Sequence, residues 1–563
     1  MALVIACVAF CILVSGHSVF YYDDLSYWGL YTRNIFSINK LPHLFENCSV
    51  DYKDYTPIMQ VLQYIAMFGR KSFDEGMMFQ TNVCFIYILL LPILSAVFEK
   101  REETNDISGS RKGISLLKVT AVIMYVIFPH ILTAQFYYRL GVDLFLALTF
   151  GYVLYYVFIY ESKDAQSEWF RMIAITSALS FLALIKTSGI VLCLLALIML
   201  IARSKLSKGQ LLPGIIRISL PLIFTFGSYF SWQLFLHYSW NNGYLSNRVK
   251  DSVTGGSFAL PAYTGEVILN YIKHFFAYPL TRNAIGVTAF VLVVFIVLVH
   301  IVTRDPKGED CLGTKRMIAC SMTGLIIFCI AHICMYLFVF DEWEAHGLME
   351  YDRYITQYLG GVFFLYVCRL LKCSVLVRKS DIFYSGSKSE NSEPSPVSNN
   401  TLKLLVVSTV VFVVLLPYKD MIQYLVPANY RAAYDEEYAR MAQNAEDEWN
   451  SSGIAELDLP HDGTQKLTVV ANAWDETTQF LEYVAVPQPF NRVVNVPAAD
   501  PGSINGFIMD FVDEYVYVSR NAPDSYTGDW DETSELTSDS TPLKAGTLYL
   551  VDRSGEEKKL VEM

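Results

Sequence analysis

Long apolar segments alternate with short polar ones from the N-terminus to about residue 417. Segments of about 18 or more apolar residues are typical of helices that cross a bilayer. The whole chain is 53% hydrophobic, which is too apolar for a soluble globular protein. We predict about eleven spanning helices, at about residues 1–20, 79–98, 114–130, 141–160, 170–185, 187–202, 213–236, 284–303, 317–340, 354–371 and 403–417.

The last part of the chain has a different character, because it is polar and acidic. Residues 428–563 hold about 26 Asp and Glu against about 9 Lys and Arg, so the remainder of the chain is mildly basic. Helical spacing at 429–450 and strand-like runs at 466–471, 480–486, 515–519 and 547–551 predict a small α/β or α+β domain. We therefore divide the chain into a membrane domain at 1–427 and a soluble domain at 428–563.

The distribution of Lys and Arg predicts the orientation of the membrane domain. Basic residues concentrate near 99–101, 111–112, 203–208, 304–316 and 369–403, and such loops face the cytoplasm. The Ser- and Pro-containing segment 372–402 is then a cytoplasmic linker. The loop 21–78, which contains short interfacial helices, and the soluble domain are expected on the extracytoplasmic side.

Charged residues are scarce in the middle of the predicted spans and cluster at their outer ends. The adjacent Asp23 and Asp24 follow the first span, and Asp54 lies in the same outer loop. Asp143 begins the fourth span, and Arg353 precedes the tenth. A transporter keeps its ionisable groups near the bilayer midplane. This pattern instead indicates a site at the outer membrane–water interface that acts on a partly lipidic ligand.

Each of these features also has a purely structural interpretation. The aspartate pair is either a solvated loop start or a site that binds a divalent cation or transfers a proton. Asp143 is either functional or a carboxylate that stabilises a helix N-terminus. Arg353 either binds a phosphate bidentately or forms an ordinary ion pair with Asp352 or Glu350.

Taken in order, these motifs resemble the GT-C superfamily of integral-membrane glycosyltransferases, which includes protein O-mannosyltransferases and aminoarabinose transferases. The resemblance covers roughly residues 1–370. A different soluble domain separates this chain from the protein O-mannosyltransferases and indicates a bacterial subfamily that uses polyprenyl-phosphate sugars. The positions that carry the resemblance are Asp23 or Asp24 in the first outer loop, Asp54 ahead of Pro57, Tyr138 to Asp143, and Arg353-Tyr354.

The resemblance implies inverting transfer of a sugar from a polyprenyl-phosphate donor to an extracytoplasmic glycan, lipid or protein. Asp23 or Asp24 would be the catalytic base. Asp54 and Asp143 would contact a metal or the acceptor, and a divalent cofactor (Mg²⁺, Mn²⁺ or Zn²⁺) would use Asp23, Asp24 and Asp143. The residues implied for the donor phosphate are Arg353, Tyr354 and Lys186.

Three other functions fit the same pattern. A flippase or transporter would need more polar groups within the membrane than this chain has. A polymerase or ligase of the O-antigen type would use arginines in a large outer loop, where this chain has only Arg248 and Arg282. A non-catalytic membrane scaffold would present the soluble domain. For the glycosyltransferase, the expected partners are the polyprenyl-phosphate-sugar donor, the extracytoplasmic acceptor and membrane lipid, and no nucleic acid.

Overall fold

The fold is described from a computed structural model of the chain. It describes residues 2–41, 55–98, 110–133, 136–162, 164–203, 211–239, 260–280, 286–303, 314–385, 396–416, 418, 422, 436–457, 466–472, 476–485, 492–495, 514–525, 530–555 and 558–563.

Most of the described chain is helical. The helices of the first half are α1 (Ala2–Val14), a π-helical turn (Asp24–Trp28) that continues into α2 (Gly29–Ile38), α3 (Ile58–Met67), α4 (Glu75–Leu89), α5 (Leu91–Phe98), α6 (Ser110–Leu132), α7 (Asp143–Phe158), α8 (Ala165–Ala183), α9 (Gly189–Arg203) and α10 (Leu211–Ser239). Those that follow are α11 (Thr264–Ala277), α12 (Ala289–Val302), α13 (Thr314–Phe338), α14 (Glu342–Gly347), α15 (Tyr351–Ser385) and α16 (Pro396–Val414).

The apolar helices make this a membrane protein, but the predicted count of eleven spans is not confirmed. Within the described residues, three helical segments are long and apolar enough to cross a bilayer: Glu75–Phe98, Lys315–Phe338 and Tyr351–Ser374. Other apolar helices are shorter than a span requires, such as Asp143–Phe158 and Gly189–Arg203. The first one, α1, has 13 residues where we predicted a span of 20.

Two details of the membrane domain concern predicted breaks. The chain does break at Lys186, since α8 ends at Ala183 and α9 begins at Gly189. The predicted linker 372–402 is helical at both ends, where α15 continues to Ser385 and α16 starts at Pro396. Proline is well tolerated as the first residue of a helix, because its missing N–H would have no partner there.

The packing of α7 against α15 places the N-terminal ends of these two helices side by side. Gly151 and Gly361 face each other, and a Cβ on either residue would lie 2.8 Å from a carbonyl oxygen of the other helix. Only glycine permits backbones to approach this closely. Asp143 begins α7 and Arg353 lies in the first turn of α15, so the close contact brings their side chains together.

Among the described residues of the C-terminal part, the strands form a mixed sheet of five in the order β2-β1-β3-β4-β5. Strands β1, β2 and β3 are parallel, whereas β4 and β5 are antiparallel additions. The elements are α17 (Glu436–Ser451), β1 (Leu467–Ala471), α18 (Glu476–Ala485), β2 (Arg492–Asn495), β3 (Tyr515–Val518), α19 (Ala522–Ser525), β4 (Thr547–Asp552) and β5 (Lys559–Glu562), with short 3₁₀ helices at Ile454–Glu456 and Trp530–Glu535.

The strand predicted at 480–486 is wrong, because residues 480–485 lie in helix α18 and residue 486 is outside the described part of the chain. Phe480, Leu481 and Tyr483 are all buried. Their spacing fits one face of a helix as well as a short buried strand. The chain needs a crossover between the parallel strands β1 and β2, and α18 supplies it.

The C-terminal part of the chain contacts helix α2 through α18. The guanidinium carbon of Arg33 in α2 lies 4.9 Å from the ring centroid of Tyr483 and 5.5 Å from that of Phe73. Cation–π contacts of this kind hold the guanidinium group in a fixed position between the two rings. Through Arg33, the soluble domain touches the same helical segment that begins with Asp24.

Candidate functional site

The two adjacent aspartates lie at the start of the π-helical turn and point in different directions. The side chain of Asp23 is 48% exposed, and its Oδ2 accepts a hydrogen bond from Arg353 Nη1 at 2.9 Å. Asp24 is 1% exposed, and its Oδ2 accepts the backbone N–H of Leu140 at 3.0 Å. π-Helical turns are frequent at functional sites. The structure thus separates an accessible carboxylate from a buried one.

Arg353 lies at the centre of the site, where it contacts three carboxylates. In addition to the Asp23 contact, its Nε donates to Asp143 Oδ2 at 2.8 Å. Its Nη1 is also 3.1 Å from Glu350 Oε2. Within the described residues its Nη2 has no ion-pair partner. Arg353 therefore has the predicted pairing with Glu350 and also joins the segment at Asp23 to α7.

Lys186 is the second cation of the site. Its Nζ is 3.7 Å from Asp143 Oδ1, and the residue is 5% exposed. It also lies 5.1 Å from the ring centroid of Tyr354 and 5.6 Å from that of Tyr55. Because the chain breaks between α8 and α9, the buried Lys186 ammonium lies next to the Asp143 carboxylate, which also binds Arg353.

Gln357 is a site residue that we did not predict. Its Nε2 donates to Asp143 Oδ1 at 2.6 Å. It follows Arg353 by four residues, so both side chains lie on one face of α15. Two polar residues at this spacing at the start of an apolar helix were a signal that could have identified it.

A strained turn positions the third carboxylate. Leu348 (φ 47°) and Glu350 (φ 60°), between α14 and α15, adopt the left-handed backbone conformation that L-residues rarely take. Such strain persists where the surrounding structure enforces it, often at functional sites. Here it directs the Glu350 carboxylate towards Arg353.

Of the predicted site residues, the structure brings together Asp23, Asp143, Lys186, Arg353 and Tyr354. Asp24 belongs to the same segment but faces the interior. Asp54 lies outside the described residues, although the ring of the next residue, Tyr55, is near Lys186. Tyr55 is held by its carbonyl, which accepts a hydrogen bond from Tyr27 Oη at 3.2 Å.

Burial changes the acidity of Asp24. Removal from water raises the pKa of its carboxyl from the ordinary 3.8 to about 7, although the Leu140 hydrogen bond and the charge of Arg139 act in the opposite direction. A carboxyl whose pKa is higher in the folded than in the unfolded state favours folding at low pH. That stabilisation is lost as the pH rises towards 7.

We therefore expect Asp24→Asn to become increasingly stable relative to wild type as the pH rises. Asn keeps the oxygen that accepts the Leu140 N–H but cannot ionise. Between pH 5 and pH 8 the difference in unfolding free energy should move by about 3 kcal/mol in favour of the variant. Thermal unfolding of the purified protein in detergent at both pH values measures this change.

The matched control is Glu161→Gln, because Glu161 is an exposed carboxylate. Its unfolding temperature should follow wild type at both pH values. A wild-type and an Asp24→Asn curve that respond identically to pH would show that Asp24 ionises normally in the folded protein.

The three aspartates predicted to hold a divalent metal do not fit that role. The Asp24 carboxylate points into the protein, whereas those of Asp23 and Asp143 both bind the Arg353 guanidinium. Across the described ranges, no three His, Cys, Asp or Glu side chains are grouped as a metal site would require. The guanidinium occupies the position between the two carboxylates.

Several solved structures are similar to this chain. An oligosaccharyltransferase, AglB, from Archaeoglobus fulgidus in complex with an inhibitory peptide and a dolichol-phosphate has 12% identity and a TM-score of 0.43 over 100% of this chain and 74% of its own. ArnT from Cupriavidus metallidurans has 13% identity and a TM-score of 0.44 over 95% and 94%. The A. fulgidus oligosaccharyltransferase in complex with Zn and sulfate has 14% and 0.41 over 92% and 68%.

The oligosaccharyltransferase and ArnT are both GT-C membrane glycosyltransferases, the class that the sequence motifs resemble. At these identities and TM-scores the similarity establishes neither the reaction nor the substrate of this chain. No protein-family model matches the chain, and no curated protein matches it.

Proposed function

We propose that this protein is a glycosyltransferase that moves a sugar from a polyprenyl-phosphate donor to an acceptor hydroxyl on the extracytoplasmic side of the membrane. The observation that carries this proposal is the contact of Arg353 with both Asp23 and Asp143. It joins an accessible carboxylate to two cations at the outer ends of helices. General-base catalysis beside a bound phosphate requires both kinds of group.

The cations would bind the donor phosphate. Arg353 Nη2 has no ion-pair partner among the described residues, so one edge of the guanidinium remains for a phosphate oxygen. Lys186 supplies a second positive charge next to Tyr354. The prenyl chain would lie against the apolar helices, whose many exposed aliphatic side chains suit a lipid tail.

Asp23 would act as the base. Its carboxylate takes the proton of the acceptor hydroxyl while the hydroxyl oxygen forms a bond to the anomeric carbon. The bond between that carbon and the phosphate oxygen breaks on the opposite face, so the configuration inverts. The electron pair of the broken bond stays on the phosphate, where Arg353 and Lys186 stabilise the charge.

Asp143 would be a positioning residue. Its two oxygens accept from Arg353 Nε and Gln357 Nε2, and Lys186 is also within ion-pair distance. A carboxylate held this way orients both cations instead of the acceptor. Asp24 would have a similar supporting role, because its bond to Leu140 fixes the turn from which Asp23 projects.

The test is release of polyprenyl phosphate from a polyprenyl-phosphate sugar by the purified protein in liposomes with a mixture of sugar, lipid and peptide acceptors. We expect donor cleavage that depends on an acceptor and inversion at the anomeric carbon of the product. Cleavage and lipid movement are measured in parallel, with a sided reagent reporting the leaflet of the donor. Movement of intact donor without cleavage would replace this proposal by a flippase.

A further inference from the structure

A pocket of about 790 Å³ lies away from the ion cluster, between α2, α3 and the turn that leads into α4. Its volume is in the range of sites that bind small molecules. The lining includes Arg33, Tyr64, Phe68, Arg70, Lys71 and Phe73. Nothing in the function proposed above uses these residues.

The positive charge of the lining residues favours a ligand that carries a negative charge. Arg33, Arg70 and Lys71 are cationic, and among the described residues no carboxylate lines the pocket. Arg70 forms an ion pair with Asp74, which is not one of the lining residues, and both side chains are partly exposed. Such a concentration of one sign of charge attracts anions at the membrane surface.

The aromatic rings add a second requirement. Phe36, Tyr64, Phe68 and Phe73 all face the pocket, and Phe68 is 77% exposed. Exposed aromatic faces on a hydrophobic element are suited to contact with a flat apolar surface, such as one face of a sugar ring. An inorganic anion alone would not use them. The pocket therefore combines groups for a negative charge and for a ring.

Its position relates the pocket to the ion cluster. Arg33 lies nine residues beyond Asp24 in the segment formed by the π-helical turn and α2, or about 14 Å along the axis at 1.5 Å per residue. A saccharide of a few rings covers that distance. Arg33 is also clamped between Phe73 and Tyr483, so the soluble domain contributes to holding one cation of the pocket.

We propose that this pocket binds an anionic sugar of the acceptor, a ring that bears a phosphate or a carboxylate. This inference rests on the proposed glycosyl transfer, for which it supplies the acceptor class. The sugar is either free or part of a lipid. The ring lies on Phe68 and Tyr64 while its anionic group meets Arg70, Lys71 and Arg33. The acceptor hydroxyl then extends towards Asp23.

Binding is measured without turnover, by equilibrium dialysis of the full-length protein in phosphatidylcholine nanodiscs. The probes are glucose 6-phosphate, glucuronate and neutral glucose. A parallel arm measures retention of phosphatidylinositol from mixed nanodiscs, and this distinguishes a lipid headgroup from a free sugar. We expect the anionic probes to bind at least about tenfold more tightly than glucose, with affinity that falls as salt is added.

The test variant is Arg70→Gln/Lys71→Gln, and its control is Lys273→Gln/Arg440→Gln, which removes two exposed cations elsewhere. The test variant should lose about tenfold in affinity for the anionic probes, or for phosphatidylinositol if the sugar is lipid-linked, and the control should lose none. Phe68→Ala should weaken glucuronate and glucose alike.

Equal binding of glucose and glucose 6-phosphate, together with equal lipid retention by the test and control variants, would overturn the pocket assignment. The binding and lipid-retention measurements do not depend on donor cleavage, which is measured in a separate assay. Failure of the transfer reaction with intact anion binding would remove the acceptor role and leave an anion site.

Discussion

Asp23→Asn is expected to lower the rate of donor cleavage by about 10²- to 10⁴-fold, the usual contribution of a general base. The substitution keeps the shape of the side chain and one oxygen near Arg353 Nη1. What it removes is the capacity to take a proton from the acceptor. Polyprenyl-phosphate release at saturating donor, together with the unfolding temperature, measures the effect and excludes a folding defect.

Asp24→Asn provides the comparison, because it removes the neighbouring carboxylate without touching the accessible one. Its Asn side chain can still accept the Leu140 N–H, so activity should stay within about tenfold of wild type. The opposite order, with Asp24→Asn inactive and Asp23→Asn active, would assign the base to the buried residue. Two fully active variants would remove the aspartate pair from the mechanism.

Arg353→Lys is expected to reduce the turnover number by about 10²- to 10³-fold even though the charge is kept. A lysine cannot bridge Asp23 and Asp143 and also present a free edge to a phosphate, because its ammonium is a single point of charge. The loss should appear mainly in turnover number, since the charge on the leaving phosphate develops in the transition state. Steady-state kinetics with varied donor concentration tests this.

Arg171→Lys is the matched control for that substitution. Arg171 pairs with Glu168 three residues before it, as Arg353 pairs with Glu350, and the two arginine side chains are 20% and 23% exposed. Its kinetics should match wild type. If Arg353→Lys were as active as Arg171→Lys, the guanidinium would have only a structural role and the donor phosphate would bind elsewhere.

The helical, apolar character of the membrane domain follows from the sequence, whereas the number of spans does not. Hydropathy reports how apolar a segment is, but helix length depends on breaks that tertiary contacts decide. The break at Lys186 agrees with the prediction. By contrast, α1 has 13 residues where a span of 20 is predicted. In the soluble domain, strands at 467–471, 515–518 and 547–552 agree with the prediction.

For the candidate site, sequence order and sidedness were enough to single out residues that the fold brings together. Asp23, Asp143 and Arg353 are separated by more than a hundred residues, yet each begins or precedes a helix at the same predicted membrane face. The sequence could not decide between Asp23 and Asp24, because burial depends on the partner at Leu140. It also missed the pocket, whose walls come from two short helices and a turn.

The glycine contact between α7 and α15 has a mechanical consequence. Gly151 lies eight residues beyond Asp143, and Gly361 lies eight beyond Arg353, so the crossing point is about 12 Å from each charged end. Rotation of the helices about this crossing point would therefore move both charged ends by the same distance. A change of about 10° in their crossing angle would separate the Asp143 and Arg353 ends by about 2 Å. That is enough to break their hydrogen bond, so a small tilt of either helix would release the Arg353 side chain from Asp143.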